Sequence, residues 1–168
     1  MRRHARGRLP LLRQPRRGPR ARGEDAQRGG LVMALHLQVV TPKGKALEAT
    51  VDEVSVPGAL GEFGILEGHI PVLSALKAGV LHYIASGKVG HLAVGGRGYI
   101  EIAGEEKVMV ISDSCMTKDD VDADMAREEL AEAEARLASY DGTTEDAEYQ
   151  LIQQKIDWAQ ARLALLAE

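Results

Sequence analysis

Residues Val56–Leu76 read VPGALGEFGILEGHIPVLSAL. Four glycines (Gly58, Gly61, Gly64, Gly68) and two prolines (Pro57, Pro71) surround a short apolar centre, Phe63, Ile65 and Leu66. Glycine admits backbone with φ > 0 and lets another chain come close. Proline fixes φ and removes a donor. Gly58, Gly61 and Gly64 recur at steps of three, which predicts a loop whose path is set by its backbone. The run holds neither a nucleophile beside a base nor a metal-ligand cluster, so it reads as a shaped surface for assembly. On spacing alone, an ordinary glycine-rich connection between strands fits equally well.

Upstream and downstream of this run the pattern is that of strands. Leu35, Leu37 and Val39 alternate with His36, Gln38 and Val40, and Pro42–Lys45 supplies a turn. Val51–Val56, Val80–Ile84, Val89–Val94, Tyr99–Ile102 and Lys107–Ser112 follow, parted by Ser86-Gly87, Gly95-Gly96 and Ala103–Glu106. Short strands at regular spacing with glycine between them predict an antiparallel sandwich or barrel. With 4% aromatic residues, its core must rest on Val, Ile and Leu.

From Thr117 the period changes. Thr117–Asp120 has the form of a capping box with Asp for the usual Glu. Ala123, Ala126, Leu130, Ala133 and Leu137 recur at helical steps until Asp141-Gly142. Thr143 or Thr144 can cap a second helix, with Glu145 and Asp146 in its first turn and a seam of Ile152, Ile156, Ala159, Leu163 and Leu166. Two complementary seams and a short loop predict an antiparallel αα-hairpin. The expected fold class is therefore α+β: an N-terminal antiparallel β-sandwich followed by a C-terminal antiparallel αα-hairpin. Its expected limits are residues 34–116 for the sandwich and 117–168 for the hairpin. The alanine-rich seam buries little apolar surface, so the hairpin is expected to be weakly held and able to detach.

Charge divides the chain in another way. Residues 1–32 hold ten arginines against Glu24 and Asp25, a balance of +8; the remainder holds 11 Lys and Arg against 23 Asp and Glu, a balance of −12. Residues 1–33 are expected to be a disordered Arg-rich extension, since they offer too little apolar surface to offset ordering entropy. Met33 is an alternative start. A basic arm of this kind fits an anionic partner, but it has no aromatic residue for base stacking, and no nucleic-acid partner is expected. The extension lacks the apolar segment of a secretory signal.

Candidate chemistry is sparse. The one cysteine, Cys115, excludes an internal disulfide and reads as a small buried residue. His69 follows Glu67-Gly68 without a nucleophile or ligand nearby in sequence, and His36, His82 and His91 show no ligand spacing. No phosphate-binding G-x-x-x-x-G-K-[ST] loop occurs, and no run of 18 apolar residues. Neither a catalytic residue, a metal nor a cofactor is expected.

Motifs in order along the chain resemble the epsilon subunit of the rotary F-type ATP synthase, over roughly residues 34–168. The family pattern PG-x-x-G-x-x-GIL-P-x-H-x-PL is matched by Pro57, Gly58, Gly61, Gly64, Ile65, Leu66, His69 and Pro71. Glu67 stands where the family has proline, and Val72 where it has leucine. Ala93–Gly96 with Tyr99–Ile102, Val108–Ser114 and Ala159–Leu163 resemble later family segments. The resemblance implies a central-stalk subunit that couples proton-driven rotation to ATP synthesis and restrains ATP hydrolysis through its hairpin. It implies the gamma subunit and the c-subunit ring as partners, with the catalytic alpha and beta subunits reached by the hairpin. The implied location is peripheral, at the cytoplasmic face of the bacterial inner membrane, held there only through the complex. Carried over by position, Gly61, Glu62, Gly64 and His69 fall in the loop facing the c ring, and Lys155 and Arg162 in the regulatory hairpin. Some members bind ATP through I-D-x-x-R-A; here Val121–Ala126 matches, but Met125 replaces the arginine. From the residues alone, a ligand-binding β-sandwich with a helical lid and a basic-armed nucleic-acid binder stand as the other readings.

Overall fold

Leu35, Leu37 and Val39 point inward and their neighbours outward, and this alternation makes Leu35–Thr41 the first strand, β1. The structure is a computed structural model that describes residues 34–168 apart from Glu105; the Arg-rich extension lies outside the described residues. Nine further strands follow: β2 Gly44–Val51, β3 Glu53–Gly58, β4 Gly61–Leu66, β5 Val72–Ala75, β6 Gly79–Ala85, β7 Lys88–Val94, β8 Gly98–Ala103, β9 Lys107–Ser112 and β10 Cys115–Met116. They form two five-stranded sheets, ordered β2-β1-β9-β8-β5 and β10-β7-β6-β3-β4. Two helices complete the chain, α1 Ala123–Ala138 and α2 Ala147–Ala167. The architecture is the expected β-sandwich followed by a helical hairpin.

The core between the sheets is aliphatic, as the composition requires. Leu35, Leu37, Val39, Val54, Val56, Ile65, Leu81, Ile100 and Val110 are all within 1% of full burial, each worth roughly 1.5–3 kcal/mol. Phe63 packs on its margin. At one end, the buried Ser112 hydroxyl accepts from the Gly95 N–H at 3.0 Å and donates to the Ser114 carbonyl at 2.6 Å, tying the end of β9 to the end of β7.

Four local expectations are corrected. The glycine run is not a backbone-dictated loop for most of its length: Gly61–Leu66 is β4, paired antiparallel to β3 with Ser55 opposite Gly64 and Gly58 opposite Gly61. Phe63 and Ile65 face the core at alternate positions, and this period of two outweighs the glycine content. One pairing is parallel, β1 beside β9. The capping box closes on a single 3₁₀ turn, Lys118–Asp120, with Asp120 accepting from the Thr117 N–H at 3.1 Å and hydroxyl at 2.5 Å. Helix α1 instead starts from Asp122, whose Oδ1 accepts the N–H groups of Asp124 and Met125, both at 3.0 Å. The N-cap of α2 is Asp146, not Thr143 or Thr144. Its carboxylate accepts from Thr143 N–H and Oγ1, both at 2.9 Å, and from the Tyr140 hydroxyl at 2.7 Å.

The hairpin seam gathers Ala133, Ile152 and Ile156, with Leu130, Leu137 and Tyr140 against them. Toward its end α2 buries Ala161, Arg162 and Leu165, while Leu163 is only half-buried. The seam broadens there because α2 packs on β6 and β7 as well as on α1. Among the described residues no helix is long and apolar enough to cross a membrane.

Candidate interaction surface and hairpin

Strands β4 and β5 each end a sheet, and residues 67–71 connect them, so both lie along one side of the sandwich. Gly61 turns the β3–β4 hairpin at φ +131, a value that a side chain rarely adopts. Glu62 follows, exposed, and accepts the Ser55 hydroxyl across the pair at 2.5 Å. Gly64 lies within β4 at an ordinary strand φ. His69 stands beyond the far end of β4, where its N–H donates to the Leu66 carbonyl at 3.1 Å and its ring lies 6.5 Å from that of Phe63. The structure therefore does not bring Glu62 and His69 together. Glu62 lies at the start of β4 and His69 three residues beyond its end, and among the described residues no hydrogen bond joins their side chains.

Sequence reasoning missed the apolar groups beside them. Leu60 at the hairpin tip is fully exposed, Ile70 and Leu73 are more than two-thirds exposed, and Leu66 is also open. Isolated exposed aliphatics are ordinary; these four gather on the side of the sandwich where β4 and β5 end their two sheets, the kind of clustering that a contact surface requires. The signal was present in the sequence: Leu66 and Leu73 sit at the outward positions of the alternation in β4 and β5.

The two hairpin positions differ. Lys155 is exposed and lines a groove of about 370 Å³ between α2 and the sandwich rim, beside Trp158, Leu76 and Asp113. Across that groove Arg97 Nε donates to Gln154 Oε1 at 2.7 Å. Arg162 is buried, a position sequence reasoning did not anticipate for a charged residue. It pairs with Glu129 of α1, and its guanidinium lies 5.3 Å from the centre of the Trp158 ring.

Two histidines without ligand spacing in sequence are brought together by the β6–β7 pairing. His82 stands directly opposite His91, with their Nδ1 atoms 2.9 Å apart. Glu168, just past α2, places Oε2 at 3.9 Å from His91 Nδ1. Nine residues apart is a hairpin spacing, which becomes visible only once the turn at Ser86-Gly87 fixes the register.

Burial, and then the charge of Asp120, push the Cys115 thiol up to about 11. The hydrogen bond to Asp146 raises the Tyr140 phenol to about 12, and the same bond, with those from Thr143, holds Asp146 below the usual carboxylate value.

Residues 34–118 match the family model described as the ATP synthase, Delta/Epsilon chain, beta-sandwich domain. The chain is 42% identical over 132 residues to the ATP synthase epsilon chain of Nitratidesulfovibrio vulgaris (strain DP4), covering 79% of this chain and 88% of that one. It is 38% identical over 133 residues to ATP synthase epsilon chain 2 of Syntrophotalea carbinolica, covering 79% and 94%. A chain in the cryo-EM structure of the Euglena gracilis mitochondrial ATP synthase shares the fold, with a TM-score of 0.67 at 18% identity over 89% of this chain and 90% of that one. A matching sandwich model, relatives aligned over most of their length, and a sandwich-plus-hairpin fold together place this chain in the ATP synthase epsilon-chain family.

Proposed function

We propose that the chain is a non-catalytic subunit of the ATP synthase central stalk, coupling proton-driven rotation to ATP synthesis. Family membership supports the assignment to the complex. The observation that carries the mode of attachment is the edge of β4 and β5, where Leu60, Leu66, Ile70 and Leu73 are exposed beside the charged Glu62. In this reading that edge meets the c-subunit ring through Gly61, Glu62, Gly64 and His69, and the sandwich also packs against gamma. Apolar groups supply the binding energy, and Glu62 gives it a charge preference. Attachment through the complex puts the chain at the cytoplasmic face of the inner membrane.

Residues 34–116 act as the coupling part and residues 117–168 as a separable regulatory part that reaches the catalytic alpha and beta subunits and restrains hydrolysis. Lys155 is free to reach a partner, whereas Arg162 must first leave Glu129. Nucleotide control through Val121–Ala126 is weak in this reading. Exposed Met125 replaces the motif arginine, and Asp122 Oδ1 is committed to capping α1.

Two comparisons in membranes test the proposal. Glu62→Lys should leave the subunit folded and lower its co-purification with the c ring; undiminished recovery overturns that contact. Removal of residues 118–168 should preserve synthesis and raise hydrolysis. Loss of synthesis would make the hairpin part of the coupling stalk.

A further inference from the structure

We propose that His82, His91 and Glu168 form a binding site for a borderline first-row dication such as Zn²⁺, which pins the end of α2 to strands β6 and β7. The three ligand atoms lie within 4.8 Å of one another. The two Nδ1 atoms are 2.9 Å apart, and the ring planes meet at 89°. Nitrogens about 2.0–2.1 Å from a shared ion stand roughly 2.9 Å apart at a right angle and roughly 3.4 Å at the tetrahedral angle. The imidazole pair is thus already at chelating separation. Glu168 Oε2, at 3.9 Å from His91 Nδ1, must approach that nitrogen by less than about an ångström, and its ligand oxygen lies within 4.8 Å of the ligand atom of His82. A side-chain carboxylate 40% exposed has that freedom.

The donor set selects the class of ion. Two imidazoles with one carboxylate suit Zn²⁺ and its neighbours, while Ca²⁺ and Mg²⁺ require oxygen ligands. Each histidine would bind as the neutral Nε2–H tautomer, with Nδ1 free to ligate. Without an ion, one imidazole donates its Nδ1–H to the Nδ1 lone pair of the other across the same 2.9 Å, so an ion would take the place of that proton. Both histidines are half-buried and Glu168 is exposed. The ion would therefore have protein on one side and an open position for water on the other.

The ligands come from different parts of the fold. His82 and His91 face each other across β6 and β7, and Glu168 follows the last residue of α2. Binding therefore favours the arrangement in which the hairpin lies on the sandwich, by linkage to the free ion concentration. This inference does not depend on which partners the chain has.

The test uses the full chain with Zn²⁺ titrated calorimetrically, and thermal melts with and without the ion. We expect one ion per chain and a raised melting midpoint. Binding should be lost in His82→Ala/His91→Ala and weakened in Glu168→Gln, whose exposed side chain is not needed for folding. It should survive in His36→Ala and His69→Ala. Zn²⁺ should also slow proteolysis within α2 in the wild type and not in Glu168→Gln. Absence of binding at micromolar Zn²⁺, or binding that survives loss of both histidines, overturns the site. Wild-type affinity in Glu168→Gln overturns the link to α2.

Discussion

Arg162 on α2 donates through Nη2 to Glu129 on α1, thirty-three residues earlier in the chain, and this ion pair joins the two helices. The guanidinium side is 8% exposed and the carboxylate side 49%. Arg162 Nε also donates to the Trp158 carbonyl at 3.4 Å, and the ring of Trp158 covers the cation. A position that resemblance assigns to regulation is, in this packed state, an internal clasp of the hairpin.

Arg162→Ala should therefore destabilise the chain by about 1–3 kcal/mol, below the full cost of a broken buried pair because Glu129 is screened by water. Glu129→Gln should cost less, and the double variant should show coupling between the two. Urea unfolding of all three measures this. Equal stability of Arg162→Ala and wild type would show that the clasp contributes nothing.

Glycines in the two signature regions should respond in opposite ways. A Cβ at Gly64 would come no closer than 4.0 Å to Glu53, so Gly64→Val fits an ordinary strand position with little effect on stability. A Cβ at Gly98 would lie 1.8 Å from the Ile111 carbonyl oxygen, and the backbone there has φ +155. Gly98→Val should cost about 3 kcal/mol. Thermal melts of the two variants separate these outcomes, and a destabilised Gly64→Val would contradict the strand assignment of β4.

The hairpin tip should loosen at both extremes of pH. Asp146 titrates below its ordinary value when folded, so its contribution is full above about pH 4 and drains as pH falls through the lowered value. Tyr140 is raised to about 12, so its contribution is full below about pH 10 and is lost as pH rises through that value. Amide exchange at Thr143 and Tyr140 reads both limbs. In Asp146→Asn the acid limb should vanish; if it persists, another group controls the tip.

Cys115 should react slowly. Its half-buried thiol, raised to about 11, is almost entirely protonated at pH 8, and the thiolate is the nucleophile. Alkylation by iodoacetamide at pH 8 should be much slower in the folded chain than in urea. Equal rates would mean that the β10 region is open in solution.

The legibility of this chain in its sequence varied with the range of the signal. The alternation at Leu35, Leu37 and Val39 and the helical steps through Ala126 and Ala133 are local, and the structure buries those residues as the periods require. Strand β4 was hidden because three glycines looked like a loop, although Phe63 and Ile65 already alternated toward a core. Thr and Asp compete at helix starts: the Asp122 carboxylate takes the first N–H groups of α1, whereas the Asp146 carboxylate accepts from Thr143 and Tyr140 and makes no side-chain cap bond to α2. The meeting of His82 with His91 depends on which strands become neighbours, and the burial of Arg162 on which helix faces meet. Composition does not encode that information; pairing does.

The parallel pairing of β1 with β9 sets an order of events as the chain emerges during synthesis. His36 aligns with Lys107, a separation of 107 − 36 = 71 residues. The neighbouring β1–β2 turn closes at once, within the span from Leu35 to Val51. Loop closure over the longer span carries a larger entropic cost and is slow. The first strand must therefore wait with one side unpaired until residues as late as Ser112 have been made. Helices α1 and α2 follow β9 in the chain, so the hairpin is made after the strand that closes the sandwich and docks onto a sheet pair that is already complete.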